Sequence, residues 1–242
     1  AMSAGMSMTG VRPEQGPPLA IPASFFVTAA LAMIAGGVLL TAGGSSLLWT
    51  RFAGTTAALV HLGTLGLLGC VMLGALYQMI PVVAGAPVPA LRAAHGVHAG
   101  LVVAVATLVW SFATNHRLAL VGGASLLSLV LFAFLLPVAV ALARAPVRGP
   151  TVTGMRVAVA GLALVVLLGV GLGHLRGSGV PSPRYSGWVA AHLTTGLVVW
   201  IGGLISAVSF QVVPMFYLTP AFPRWAEWTL VALFGLTLAG VI

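Results

Sequence analysis

Long stretches without a charged residue set the strongest constraint on this sequence. Seven long intervals hold no Asp, Glu, Lys or Arg: 15–50, 52–91, 93–116, 118–143, 157–175, 185–223 and 228–242. A helix that crosses the hydrocarbon core of a bilayer needs about 20 apolar residues. The first six intervals reach or approach that length, and the seventh does so only if Arg224, Trp225 and Glu227 lie in the interface.

The composition indicates that lipid is the solvent of this chain. Of 242 residues, 60% are hydrophobic and 5% are charged, whereas a soluble domain has about a quarter charged. Backbone polar groups must be paired inside a bilayer, which favours helices, and the alternation of a membrane β-barrel is absent. We therefore predict an all-α, polytopic membrane helix bundle with about seven transmembrane helices, at 22–43, 53–80, 94–114, 118–142, 154–174, 187–213 and 225–242.

The N-terminal stretch differs from the rest of the chain. Residues 1–20 are rich in Gly, Pro, Met and Ser, and we expect a flexible tail followed by one transmembrane helical domain at 21–242. A signal peptide is not expected, because a basic region followed directly by a short apolar core is missing.

The charged residues exclude several classes of protein. All ten basic residues are arginines, scattered singly between apolar runs, which is not the pattern of a nucleic-acid-binding surface. Without lysine a retinal Schiff base is impossible, and the single cysteine, Cys70, excludes an intramolecular disulfide and a CxxC metal site.

The distribution of arginines predicts the orientation. With the N-terminus inside, the cytoplasmic side holds Arg12, Arg92, Arg144, Arg148, Arg156 and Arg224. The other side holds Arg51, Arg117, Arg176 and Arg184. Because basic loops stay on the cytoplasmic side, six against four favours a cytoplasmic N-terminus. We expect a multi-pass protein of the bacterial inner (cytoplasmic) membrane.

The second and sixth predicted helices resemble each other. Both contain His-Leu with Thr three residues after the His, and both end in Gln-x-x-Pro. The matching positions are His61, Thr64, Gln78 and Pro81, and His192, Thr195, Gln211 and Pro214. The offset is 131 residues at the histidine and 133 at the proline. Helices four spans apart run in the same direction, so we predict a parallel four-helix pseudo-repeat.

This repeat places His61 and His192 on the same side of the membrane. An ionisable residue inside a span is costly and marks a functional site, and a neutral imidazole is a good axial ligand for haem iron. His61 and His192 are therefore candidate haem and metal ligands. Thr64, Thr195 and Gly66 are candidate neighbours of the cofactor. Arg51 is a candidate partner of the haem propionates, and Arg117, Arg176 and Arg184 on the same side could serve equally.

Plainer interpretations of the same residues stay open. His61 would equally suit a hydrogen bond between helices, and small residues such as Gly66 would equally suit tight helix packing. Met72, Met79 and Met215 suit a soft metal such as Cu(I), but methionine in an apolar helix usually serves packing. Four further histidines are expected near helix ends without a ligand: His95, His98, His116 and His174.

The second predicted helix also resembles a known family. His61, the apolar run after it and the exit Pro81-Val82-Val83-Ala84-Gly85-Ala86-Pro87 resemble the second helix of haem-copper oxidase subunit I. That resemblance implies a helix that starts on the outer side with a histidine ligand of low-spin haem, here His61. It also implies a fold built on a pseudo-repeat of four helices.

Other parts of the chain depart from that family. His192 is followed by Leu193-Thr194 where the family commonly has Pro-Glu, and no adjacent His pair exists for the copper site. Copper is conceivable, but a complete haem-copper centre is not expected. The second haem ligand would then come from His192 or from a second copy of the chain.

The sequence thus predicts a membrane-embedded protein that binds haem b and acts in electron transfer or redox or gas chemistry, without settling whether it is an enzyme. Its expected partners are the lipid bilayer and either further copies of itself or a respiratory partner subunit. Two alternatives stay open. One is a permease for a small solute or metal ion, and the other is a structural subunit of a respiratory complex.

Overall fold

A computed structural model describes residues 16–242, so Arg12 and most of the expected tail lie outside the described residues. Within this range the chain is helical and contains no strand. Its seven long helices are α1 (Ala20–Gly43), α2 (Gly54–Ala84), α3 (Ala94–Thr114), α4 (Arg117–Arg144), α5 (Pro150–Ser178), α6 (Tyr185–Tyr217) and α7 (Arg224–Val241). Short 3-10 turns follow α1 at Gly44–Leu48 and precede α3 at Leu91–Ala93.

The predicted all-α bundle is confirmed, and its helices are of the length and composition that a membrane protein requires. Within residues 16–242, six helices are long and apolar enough to cross a membrane, with mean hydropathies from 1.8 to 2.8. The seventh predicted span, 225–242, is the helix α7, which is not one of those six and carries Arg224 and Glu227 in its first turn. A carboxylate in the first turn of a helix is stabilised by the helix dipole.

Sequence neighbours pack against each other around the bundle. Helix α1 lies on α2, α2 on α3, α3 on α4, and α4 on α5, while α5 also contacts α6 and α7. The core between them is apolar, and its fully buried side chains include Leu73, Leu101, Phe134, Val138 and Met155. Helix α1 is the most lipid-facing of the six spans, with 11% of its apolar window buried against 33–39% for the others.

A side chain of α5 closes the end of α4. Nε and Nη2 of Arg156 both donate to the carbonyl oxygen of Leu142, at 3.2 and 2.8 Å. The last carbonyls of a helix have no partner within it, so this arginine supplies one and joins the two helices.

Two helices, α2 and α6, depart from α-helical hydrogen bonding in the same way. Each contains an eight-residue π-helical segment, Leu62–Gly69 in α2 and Thr195–Gly202 in α6. Each segment ends on a glycine: a Cβ on Gly69 would lie 3.1 Å from the oxygen of Thr64, and one on Gly202 would lie 3.3 Å from the oxygen of Leu197. The two helices thus share a local distortion as well as a sequence pattern. The four-helix pseudo-repeat of the whole chain stays a prediction.

The close contact at Gly66 gives a test of the packing between α1 and α2. A Cβ on Gly66 would lie 2.8 Å from Cβ of Ala32 on α1, while one on Gly37 would meet nothing within 4 Å. Overpacking a tight contact costs about 1–3 kcal/mol. We expect Gly66→Leu to lower the thermal unfolding temperature in detergent and Gly37→Leu to leave it within error of the unaltered protein. Equal shifts in the two variants would contradict this packing.

Candidate functional site

A cavity of about 210 Å³ lies inside one end of the bundle. It sits where α2, α4 and α6 begin and where α3 and α5 end, so five helices line it. Its wall is mostly apolar. The polar or charged side chains that line it are Arg51, Thr56, His61, Thr64, Ser128, Arg176, Tyr185 and His192.

The structure brings His61 and His192 together in this cavity. Each lies seven residues after the first residue of its helix, α2 or α6. A rise of 1.5 Å per residue places both about 10 Å from the helix start. Their ring centres are 6.3 Å apart and their ring planes differ by 23°. The sequence placed His192 nearer to the surface than His61, because it predicted α6 to begin at residue 187 and not at Tyr185.

Each imidazole is fixed by a bond from the same ring nitrogen. Nδ1 of His61 donates to the carbonyl oxygen of Ala57 at 2.7 Å, and Nδ1 of His192 donates to that of Val165 at 3.1 Å. A carbonyl oxygen only accepts, so Nδ1 carries the proton in both rings and the lone pair of the neutral ring lies on Nε2. Within residues 16–242 neither Nε2 forms a hydrogen bond. Metal-binding histidines have this arrangement.

The ring separation is compatible with one shared metal ion, provided that the two Nε2 atoms face each other. An ion that binds two imidazoles at about 2 Å, through nitrogens about 1.2 Å from each ring centre, puts the ring centres about 6.4 Å apart. The observed 6.3 Å agrees with this value. The pair therefore suits an ion held between α2 and α6.

Neighbouring residues leave space for the two rings. Phe112 of α3 stacks on His61 with ring centres 4.9 Å apart and planes 28° apart. Gly169 of α5 lies beside His192, and a Cβ there would come within 3.0 Å of Cε1 of that ring. A larger residue at 169 would push His192 out of its position.

Two arginines line the same cavity. Arg51 lies over the ring of Phe52 at 5.0 Å. Arg176 donates from Nη1 to the carbonyl oxygen of Phe52 at 3.1 Å and lies 5.6 Å from the centre of the Phe112 ring. An apolar cavity with cations suits a flat apolar group that carries acidic substituents.

The other candidate residues lie at different distances from this cavity. Thr64 lines it, and its hydroxyl donates to the carbonyl of Val60 at 2.8 Å. Thr195 is fully buried but does not line it, and its hydroxyl has no partner within residues 16–242. Gly66 faces α1 and does not line the cavity. Phe112 and Gly169 carried no sequence signal, because their part in the site comes from packing between helices.

Three further described histidines, His98, His116 and His174, have ordinary structural partners. Nε2 of His98 pairs with the hydroxyl of Thr28 at 2.8 Å, and that of His174 pairs with Ser125 at 3.4 Å. Nδ1 of His116 accepts the backbone N–H of Ala119 at the start of α4. Within residues 16–242, no three His, Cys, Asp or Glu side chains come together as a metal site would require. This part of the chain therefore does not assemble a three-ligand copper site.

Comparisons with known proteins add no relative. No protein-family model matches the sequence, and no curated protein or solved structure matches the chain.

The approach of α2 to α6 is testable without any cofactor. In a Cys70→Ala background we expect the pair His61→Cys and His192→Cys to be joined by a short bifunctional thiol reagent. The pair His98→Cys and His192→Cys should stay unjoined, because His98 lies at the opposite end of the bundle, near the start of α3. Intact mass spectrometry detects the crosslink. Equal yields from both pairs would contradict the shared cavity.

Proposed function

We propose that the protein is a membrane haem protein that holds b-type haem between His61 and His192 and takes part in electron transfer. The observation that carries the proposal is the 6.3 Å separation of two near-parallel imidazoles whose Nδ1 atoms are both bonded to carbonyl oxygens. Haem suits a pocket of this kind because most of its surface is apolar.

The residues of the cavity have distinct parts in this proposal. His61 and His192 would hold the haem iron through Nε2, and their bonds to carbonyl oxygens would keep the rings in place and make them better ligands. Arg51 supplies positive charge for the propionates. The apolar wall excludes water. When bound, haem would supply reversible one-electron chemistry at iron. A covalent c-type attachment is not expected, because the sequence has one cysteine.

The resemblance to haem-copper oxidase subunit I agrees with this proposal at His61. By that resemblance the corresponding histidine is a ligand of low-spin haem. His61 and His192 together would supply both protein ligands of the haem from this one chain, which suits a role in electron transfer. A pair of histidine ligands favours electron transfer over gas chemistry. The proposed location is the bacterial inner membrane, and the proposed partner is a respiratory subunit.

A permease has less support from the described residues. Transporters place acids or unwound polar segments near the middle of the bilayer. The acid of residues 16–242 is Glu227, in the first turn of α7. The cavity also holds a matched pair of imidazoles, which a solute pathway does not require.

The absorption spectrum of protein purified after expression with ample haem tests the proposal. We expect a Soret band and a b-type pyridine haemochrome, both lost in His61→Ala because a ligand is removed. The control is His98→Ala, which removes a histidine bonded to Thr28 outside the cavity and should keep the full haem content. A folded protein with no Soret band, or a Soret band unchanged in His61→Ala, would contradict the proposal. Haem found in a co-purified subunit alone would indicate a structural subunit.

A further inference from the structure

Arg176 is linked to His61 through an intervening ring. Its guanidinium carbon lies 5.6 Å from the centre of the Phe112 ring, and that ring stacks on His61 with centres 4.9 Å apart. The three residues come from α5, α3 and α2. A cation, a benzene ring and an imidazole from three helices therefore follow one another in contact, and this chain of contacts is here named the Arg176 column.

The guanidinium is held in place from a second side. Nη1 of Arg176 donates to the carbonyl oxygen of Phe52, in the segment that leads into α2, at 3.1 Å. A planar guanidinium with a fixed hydrogen bond loses little further freedom when it lies over an aromatic ring. The cation–π attraction strengthens where water is excluded, and Arg176 is only partly exposed.

Each member of the column constrains the next. The cation favours one face of the Phe112 ring, and stacking on that ring favours one plane for the His61 imidazole. The bond from Nδ1 of His61 to Ala57 fixes the direction of Nε2 but leaves the ring free to rock about it. Phe112 supplies the missing restraint, so the ring plane of His61 depends on a residue that it does not touch.

We propose that Arg176 is a positioning residue that sets the ring plane of His61 through Phe112 and raises the reduction potential of the haem. This inference rests on the proposed function. Phe112 holds the guanidinium of Arg176 beside it and out of bulk water, where its positive charge is little screened and favours the reduced iron, which carries one positive charge less. Without Phe112 the guanidinium is free to turn into water, where screening removes most of this effect. A fixed ring plane of His61 favours binding of both imidazoles to the iron in its oxidised and in its reduced form.

A simple structural clamp is the competing explanation for Arg176. Its bond to Phe52 joins the segment before α2 to the end of α5, and that alone would stabilise the bundle. A clamp would change the unfolding temperature but not the reduction potential. A distant charge would change the potential equally with or without Phe112. The test must distinguish a structural clamp, a distant charge and the proposed positioning role through Phe112.

The experiment is redox titration of the haem-loaded protein in detergent, with variants Arg176→Gln, Phe112→Leu and the double variant. We expect Arg176→Gln to shift the equilibrium about tenfold towards oxidised haem, which lowers the midpoint potential by about 59 mV for one electron. The control Arg184→Gln removes an equal charge from an exposed position outside the cavity. It should shift the equilibrium between oxidised and reduced haem by less than about twofold.

The double variant distinguishes the column from a distant charge. In a Phe112→Leu background we expect Arg176→Gln to cause less than half of its shift in the unaltered protein, because coupled residues are not additive. If Arg176→Gln does not fold, Arg176→Lys keeps the charge but loses the planar stacking group, and it should shift the potential in the same direction by a smaller factor.

Several results would overturn the inference. An unchanged potential in folded Arg176→Gln and Arg176→Lys would leave a clamp, and an equal shift with and without Phe112 would leave a distant charge. Either result would overturn this inference but not the proposed function, provided that the Arg176 variants keep their haem and His61→Ala loses it. Absence of haem from the unaltered protein would overturn the proposed function as well.

Discussion

Two hydrogen bonds from imidazole to carbonyl orient the two histidines in the cavity of this bundle. Nδ1 of His61 bonds to Ala57 in its own helix, whereas Nδ1 of His192 bonds across to Val165 in α5. Each bond places the proton on Nδ1 and leaves the lone pair on Nε2. An imidazole in a low-dielectric bundle needs such a partner, since an unpaired buried N–H costs several kcal/mol. The same bonds that satisfy the buried N–H groups also leave the Nε2 lone pairs available to a metal ion.

The helix backbone near each of the two rings departs from α-helical geometry in the same way. A π-helical segment begins directly after His61 and three residues after His192, and a glycine ends each segment where a carbonyl approaches. Such segments are rare and occur often at functional sites. One extra residue per turn rotates the following part of the helix. In α2 that following part buries Leu73, Leu76 and Ile80 in the core.

The sequence was sufficient to predict the helices of the bundle and the two histidines of the cavity, His61 and His192. The intervals without charge predicted seven helices to within a few residues of their observed bounds. A charged residue is costly in lipid, so it marks where a span ends. His61 and His192 were found through a shared pattern. The faces of the helices were harder to predict. Gly66 was grouped with the cofactor but faces α1, because small residues serve helix packing and cofactor binding alike. Phe112, Gly169 and the particular role of Arg176 depend on contacts between helices far apart in sequence, which one sequence does not encode in any short motif.

The central claim is that one iron ion lies between His61 and His192, and electron paramagnetic resonance of the oxidised, haem-loaded protein tests it most directly. Two axial imidazoles make ferric haem low-spin, and near-parallel ring planes, here 23° apart, give a rhombic spectrum. The account predicts a rhombic low-spin signal that changes to a high-spin signal in His192→Ala. A high-spin signal in the unaltered protein, or a low-spin signal that survives His192→Ala, would contradict it.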